Sequence, residues 1–119
     1  MDSRTNVQEL KDIVKDFCER RDWDKYHNAK DLSIGISTEA AELLEIFRFK
    51  SEDEIREILN SVKKTHIEEE LGDVLYFVLR FAQMYNIDLS TTLRNVIEKN
   101  ERNYPTGKSK GSNKKYTEL

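Results

Sequence analysis

Apolar residues recur every three or four positions along most of the chain, which is the period of an amphipathic α-helix. The first stretch with this pattern covers residues 6–20, the second 29–49 and the longest 62–85. Each stretch is longer than a typical β-strand, and none alternates with a period of two. The pattern therefore predicts three amphipathic helices.

Two shorter helices are predicted from their end signals. Ser51 and Glu54 form a capping-box pattern, which predicts a connecting helix over residues 52–59. A fifth helix is expected over residues 88–103, because Pro105 cannot continue a helix. Its inward-facing positions are expected to be Leu93, Val96 and Ile97.

The bulk properties place these helices in one domain of an all-α protein. The chain has 119 residues, which suits a single-domain bundle of four to five helices. Residues 106–119 contain two Gly, two Ser and four Lys, and we expect them to form a flexible basic C-terminal tail. The bundle and the tail together are expected to form a single domain over residues 1–119.

Charge and cysteine content narrow the possible functions. The net charge is −3, which argues against a nucleic-acid polymer as partner. No apolar run approaches the roughly 18 residues of a membrane span, so no membrane partner is expected. The single cysteine, Cys18, excludes an internal disulfide, and the N-terminus shows no apolar signal region. These features predict a cytoplasmic protein.

The loop between the first two long helices combines aromatic and charged residues. Asp22, Asp24 and Asn28 favour turns, and the only tryptophan, Trp23, lies among them. Trp23 could simply pack onto the core. It could also offer a flat wall for a nucleobase, because aromatic faces stack on bases.

Two pairs of carboxylates are the candidate chemistry of the chain. Glu39 and Glu42 are three residues apart on the second helix, as are Glu70 and Asp73 on the fourth, so each pair shares one helix face. If these helices pack side by side, four carboxylates converge, and a hard cation such as Mg²⁺ or Mn²⁺ would offset their repulsion. The alternative is that each pair forms salt bridges in a non-enzymatic helical interaction protein.

The two acidic motifs, in this order, resemble those of the MazG-type all-α nucleoside triphosphate pyrophosphohydrolases, and most closely the dCTP pyrophosphatase branch. Four further segments resemble that branch in order along the chain: Arg21–His27, Phe47–Lys50, Asn100–Pro105 and Lys115–Leu119. The chain departs from the branch where Phe49 replaces a tryptophan, Val96 a lysine and Val14 a histidine. These departures leave the preferred base open.

The resemblance implies Mg²⁺-dependent cleavage of a (deoxy)nucleoside triphosphate, dCTP or a related pyrimidine nucleotide, into monophosphate and pyrophosphate. It implies that the metal ligands and catalytic residues are Glu39, Glu42, Glu70 and Asp73, with Mn²⁺ as a possible substitute. Either Glu39 or Glu42 would accept the proton of the attacking water. The expected assembly is a homodimer or homotetramer.

Eight residues are expected to contact the nucleotide. The resemblance implies the aromatic loop and three other positions, and the mobile tail lysines could neutralise the outer phosphates. The full set is Trp23, Lys25, Tyr26, His27, Phe49, Phe77, Asn100 and Lys108. Within the same fold, a phosphoribosyl-nucleotide or a dUTP-type pyrophosphohydrolase is the alternative.

Overall fold

The computed structural model describes residues 1–119, and the chain is all-α, with no β-strand. Six helices follow one another: α1 Val7–Glu19, α2 Ala29–Phe47, α3 Glu52–Leu59, α4 Lys64–Met84, α5 Leu89–Asn103 and the single turn α6 Thr106–Ser109. Short 3₁₀ turns occupy Asp24–Tyr26 and Tyr116–Glu118. The five predicted helices form at the predicted places, with ends that differ by no more than two residues.

Side-chain caps explain why the helices begin where they do. Asn6 accepts a hydrogen bond of 2.8 Å from the backbone N–H of Glu9, and so caps α1. The Ser51–Glu54 capping box forms as predicted at the start of α3. These caps satisfy backbone donors that have no partner inside the helix, so the starts of α1 and α3 are fixed locally by the sequence.

The chain divides into two compact units, residues 1–86 and 87–119. In the first unit, α2 packs along α4, and α1 packs on α4 as well. The buried apolar side chains of this unit are few: Val14, Cys18, Leu32, Leu79 and Ala82. This small core holds α2 and α4 side by side, and these two helices carry the acidic pairs.

Part of the apolar surface of α4 stays exposed in the single chain. The apolar residues Leu71 and Leu75 of this helix are 57% and 47% exposed. Together with Gly72, Val74 and Val78 they line an open groove of about 640 Å³. An apolar face of this kind on a charged protein is typical of an interaction surface.

The second unit contains α5, α6 and the last 3₁₀ turn. Tyr104 and Tyr116 meet edge to face with ring centroids 5.9 Å apart. The expectation that Leu93, Val96 and Ile97 face inward is wrong, because they are 61%, 39% and 49% exposed. After α5 the second unit contains only the short turns α6 and Tyr116–Glu118. These offer too little apolar surface to cover the three side chains.

The tail beyond Tyr104 begins with the helical turn α6, and its expected flexibility stays a prediction. The single-domain organisation also stays a prediction. Among the helices, none combines the length and the apolar character needed to cross a membrane.

Candidate metal centre and nucleotide site

Three of the four predicted carboxylates converge between α2 and α4. One oxygen from each of Glu39, Glu70 and Asp73 lies within 4.8 Å of the other two. Glu39 and Glu70 are half-buried and Asp73 is exposed, so the cluster opens to solvent on one side. The three-residue spacing on α4 and the side-by-side packing of the helices produce this convergence.

Two oxygens of this cluster have no partner in the chain. Oε2 of Glu39 and Oε2 of Glu70 are buried and form no hydrogen bond. None of the ion pairs to lysine or arginine involves Glu39, Glu70 or Asp73. A buried carboxylate oxygen without a partner is costly. The arrangement therefore suits a divalent cation, for which all-oxygen ligands are the preferred donors.

Burial and the charges of the cluster raise the pKa of Glu39 to about 7. Burial is the largest cause, followed by a hydrogen bond with Glu42 and by the negative charges of Glu42, Asp73 and Glu70. Glu42 thus contacts the cluster through Glu39 but is not one of the three converging carboxylates. Its own side chain is exposed.

His66 was not among the predicted site residues, although it lies one helical turn before Glu70. Its Nε2 is 3.0 Å from Oε1 of Glu70, and its side chain is 61% exposed. This contact occupies one oxygen of Glu70 and leaves the other without a partner. The four-residue spacing of histidine and glutamate on one helix is the signal that could have found it.

A row of aromatic rings in contact with one another ends near the acidic cluster. Successive rings meet edge to face, with centroids 5.0 to 6.3 Å apart. We call these residues the aromatic wall; in contact order they are His27, Trp23, Phe17, Tyr76 and Phe77. Three of the predicted nucleotide-binding residues therefore belong to one connected structure.

Gly35 brings the end of this wall close to the carboxylates. A Cβ at Gly35 would lie 2.5 Å from Cδ1 and Cε1 of Phe77, so the ring packs directly on the backbone of α2. Gly35 lies one turn before Glu39, and Phe77 one turn after Asp73. The Phe77 end of the aromatic wall thus lies one turn from the acidic cluster on α4 and packs on α2. A glycine inside a predicted helix was the available signal for this close approach.

An opening borders the cluster at Glu70. It is a pocket of about 600 Å³ whose lining includes both acidic and basic groups. Its polar lining residues include Glu42, Glu70, Lys50, Lys63 and His66. Two cationic side chains therefore border a space that reaches the carboxylates.

Phe49, Lys25 and Tyr26 do not join the aromatic wall in the single chain. Phe49 is 90% exposed, and its backbone is left-handed with φ of 63°. Lys25 forms an exposed ion pair of 3.1 Å with Asp22, and Tyr26 is 63% exposed. The three side chains therefore face solvent, and their predicted contacts with a nucleotide stay predictions.

The last two predicted contact residues belong to the second unit. Asn100 lies on α5 and Lys108 on α6, and both are exposed. Their predicted roles stay predictions.

Comparison with known proteins agrees with the architecture and the acidic motifs. Residues 34–119 match the MazG-like family. The dCTP pyrophosphatase 1 of Bos taurus is 28% identical over 118 residues, which cover 98% of this chain and 70% of that protein. The human dCTP pyrophosphatase 1 is 28% identical over 114 residues, which cover 95% of this chain and 67% of that protein.

A solved structure extends the match to three dimensions. The crystal structure of a pyrophosphatase from Archaeoglobus fulgidus superposes with a TM-score of 0.79 at 42% sequence identity, covering 86% of this chain and 94% of that one. The family match covers well over half of the chain, including both acidic motifs. The chain belongs to the MazG-like family and is a nucleotide pyrophosphohydrolase.

Proposed function

We propose that the enzyme hydrolyses dCTP, or a related pyrimidine deoxynucleoside triphosphate, to the monophosphate and pyrophosphate in a Mg²⁺-dependent reaction. The observation that carries this proposal is the convergence of Glu39, Glu70 and Asp73 with two unpartnered buried oxygens. Phosphate chains are polyanions, and carboxylates alone would repel them. A cation between the carboxylates and the phosphates resolves that repulsion.

Mg²⁺ fits this donor set, and Mn²⁺ could substitute for it. The residues that would hold the metal are Glu39, Glu70 and Asp73, with Glu42 beside them. When bound, the metal would supply charge neutralisation at the α-phosphate and a water of lowered pKa. The packing of α2 along α4 holds these carboxylates together and so defines the position of the metal.

We assign the role of general base to Glu42. Its negative charge acts on Glu39, so it lies beside the cluster, but it is outside the three converging carboxylates. It is therefore free to accept the proton of the attacking water while the other three hold the metal. Glu39 is the alternative base, and its raised pKa of about 7 describes the cluster without a cation.

The aromatic wall supports a base-binding role. Trp23 is 37% exposed, and its ring connects through Phe17 and Tyr76 to Phe77 beside the carboxylates. Aromatic faces stack on nucleobases at about 1–3 kcal/mol for each base. The names of the bovine and human relatives point to dCTP as their substrate, and the wall offers this chain a place for the same kind of base.

The phosphates would extend from the cluster towards the pocket bordered by Lys50 and Lys63. This pocket shares Glu70 with the acidic cluster and also borders Glu42, so a chain of phosphates leaving the metal would enter it. The two lysines would then neutralise the outer phosphates. Lys108 of the tail remains a further candidate for the same role, and Asn100 of α5 remains a candidate for contact with the sugar or the phosphates.

The enzyme is proposed to act as a homodimer or homotetramer. The exposed groove of α4, with Leu71 and Leu75, is an apolar surface that a second copy could cover. Phe49 is held outward in a strained backbone conformation, which suits a ring that completes a neighbouring subunit's site. The cytoplasmic location stays a prediction.

A hydrolysis panel tests the proposed function. The protein is incubated with Mg²⁺ and each of dCTP, CTP, dUTP, dTTP and a phosphoribosyl-nucleotide, and the products are quantified. We expect equal amounts of dCMP and pyrophosphate from dCTP, and loss of turnover in Glu39→Gln and Asp73→Asn. Release of single orthophosphate, or full turnover in both variants, would contradict the proposal. Preference for dUTP or the phosphoribosyl-nucleotide would change the assigned substrate but not the proposed pyrophosphohydrolase reaction.

A further inference from the structure

Arg80 is a buried positive charge on α4. It is only 1% exposed, and it is among the largest fully buried side chains of the protein. Its Nε donates a hydrogen bond of 2.9 Å to Nδ1 of His27, and its Nη2 pairs with Oδ1 of Asp24. Its Nη1 donates to Oε1 of Gln83 at 2.6 Å. Two of these three partners belong to the loop that carries Trp23, so Arg80 ties that loop to α4.

The contact with Arg80 decides which form of the His27 ring is present. A guanidinium only donates hydrogen bonds and keeps its charge at all ordinary pH values. Nδ1 of His27 must therefore accept, and an accepting Nδ1 carries no proton. The proton of the neutral imidazole is then on Nε2. Protonating Nδ1 would direct an N–H at the guanidinium, which the geometry does not allow.

The charges around His27 agree with this assignment. Burial and the positive charge of Arg80 lower the pKa of His27, while the negative charges of Asp24 and Asp31 act in the opposite direction. Burial is the largest of these causes. The net effect favours the neutral ring at neutral pH.

His27 stands at the end of the aromatic wall. Its ring centroid is 6.3 Å from that of Trp23, at an angle of 66° between the planes. Its hydrogen bond to Arg80 uses Nδ1. The Nε2–H is therefore a donor that Arg80 does not engage, on a ring that contacts Trp23, the residue proposed to stack on the base.

We propose that Arg80 is a positioning residue that sets His27 as a neutral Nε2–H donor, and that this donor reads an acceptor on the edge of the nucleobase. The proposal rests on the proposed function and deepens it, because it concerns base selection at the same site. Cytosine presents adjacent acceptors at O2 and N3, whereas uracil and thymine carry N–H at position 3. O2 is an acceptor in all three bases, so the selection requires that the His27 donor meets position 3, where cytosine accepts and uracil and thymine present an N–H.

The tautomer is tested directly by NMR of the imidazole nitrogens in ¹⁵N-labelled protein. The chain has two histidines, His27 and His66, and the variant His66→Gln assigns the remaining signals to His27. We expect His27 to be neutral at pH 7 with its proton on Nε2. In Arg80→Met, we expect both tautomers and a higher pKa of His27. A proton on Nδ1, or a cationic ring at pH 7 in the wild type, would overturn the proposal.

The base-reading step is tested with product nucleotides and by kinetics. Titration with dCMP should shift the Nε2–H signal of His27, and dUMP should shift it far less. The ratio of kcat/KM for dCTP over dUTP should fall about tenfold in His27→Phe and in Arg80→Met, which is the scale of one lost hydrogen bond. His27→Gln keeps an amide donor and should retain part of the preference.

A matched control removes the third partner of Arg80. Gln83 accepts from Arg80 but does not belong to the loop, so Gln83→Met should leave the His27 tautomer and the substrate ratio unchanged. If Arg80→Met fails to fold, His27→Phe carries the test alone. An unchanged ratio in a folded His27→Phe would overturn the base-reading step. Absence of all hydrolysis in the wild type would instead overturn the proposed function, while the NMR titrations would still decide this proposal.

Discussion

The ring of Phe77 packs directly on the backbone of Gly35, at a point where α2 and α4 carry their carboxylates one turn away. Any side chain at position 35 would occupy the place of the ring. This contact sets the end of the aromatic wall relative to the acidic cluster. It therefore makes Gly35 a determinant of the site through its packing on Phe77.

Gly35→Ala should displace Phe77 and reduce activity. The added methyl overpacks the contact, which costs about 1–3 kcal/mol, and the better helix propensity of alanine offsets up to about 1 kcal/mol. We expect kcat/KM to fall about 10- to 100-fold, because the geometry of the bound nucleotide changes. Steady-state kinetics and thermal unfolding measure the two effects.

Ser37→Ala is the matched control, since Ser37 lies on the same helix with an exposed side chain. It should leave both activity and stability nearly unchanged. In a Phe77→Leu background the smaller side chain should tolerate the Gly35→Ala change better, so the two changes should not be additive. Full activity of Gly35→Ala would show that the contact does not position the site.

The raised pKa of Glu39 predicts that two quantities depend on pH in opposite directions: the stability of the metal-free protein and the stabilisation that Mg²⁺ adds. Glu39 has a pKa of about 7 in the folded chain against an ordinary value of 4.5, so the folded state holds the proton more tightly. Without metal, stability should therefore fall as the pH rises from about 5 to 7. Metal binding needs the ionised carboxylate, so the stabilisation by Mg²⁺ should grow over the same range.

Melting temperatures at pH 5, 6, 7 and 8, with and without Mg²⁺, test this prediction. In Glu39→Gln the group cannot titrate, so both dependences on pH should become flatter. A Mg²⁺ shift that is larger at pH 5 than at pH 8 would be incompatible with the assigned ligands.

The exposed groove on α4 predicts self-association. Leu75 is 47% exposed there, and Leu75→Glu should place a charge in the interface and shift the protein towards monomer. Val62 is 91% exposed outside the groove, so Val62→Glu is the matched control and should not change the assembly. Sedimentation velocity measures the outcome. A wild type that stays monomeric at micromolar concentration would contradict the proposed assembly.

The exposure of Phe49 predicts that replacing it changes activity but not stability. Because its side chain is 90% exposed, Phe49→Ala should change the free energy of unfolding by no more than about 0.5 kcal/mol. If the ring completes a neighbouring subunit's site, KM should rise with little change in kcat. Thermal unfolding and steady-state kinetics of the same preparation compare the two. An unchanged KM would remove Phe49 from the nucleotide site.

Local sequence signals were sufficient for the helices but not for all of their contacts. Ser51 and Glu54 fixed the start of α3, because a capping box needs only residues three apart. The apolar face of α5 was predicted to turn inward, and it is exposed. Periodicity identifies an apolar face, but it does not say what covers that face.

The candidate site, like the fold, could be predicted from the sequence only in part. Spacing predicted that four carboxylates would converge if their two helices packed side by side, and three of the four, Glu39, Glu70 and Asp73, do so. The roles of Gly35 and Arg80 depend on residues far away in sequence, Phe77 and His27 respectively. A glycine inside a helix signals a close approach, but the partner comes from tertiary packing and no local pattern identifies it.

Calorimetric titration of Mg²⁺ into the protein tests the central claim most directly, and the run of three glutamates supplies a matched pair of variants. Glu70 belongs to the acidic cluster, whereas its neighbour Glu69 is exposed and lies outside it. We predict saturable binding in the wild type, unchanged binding in Glu69→Gln, and binding weakened about tenfold or more in Glu70→Gln. Absence of binding in the wild type, or equal affinities in the two variants, would contradict the assignment of this cluster as the metal centre.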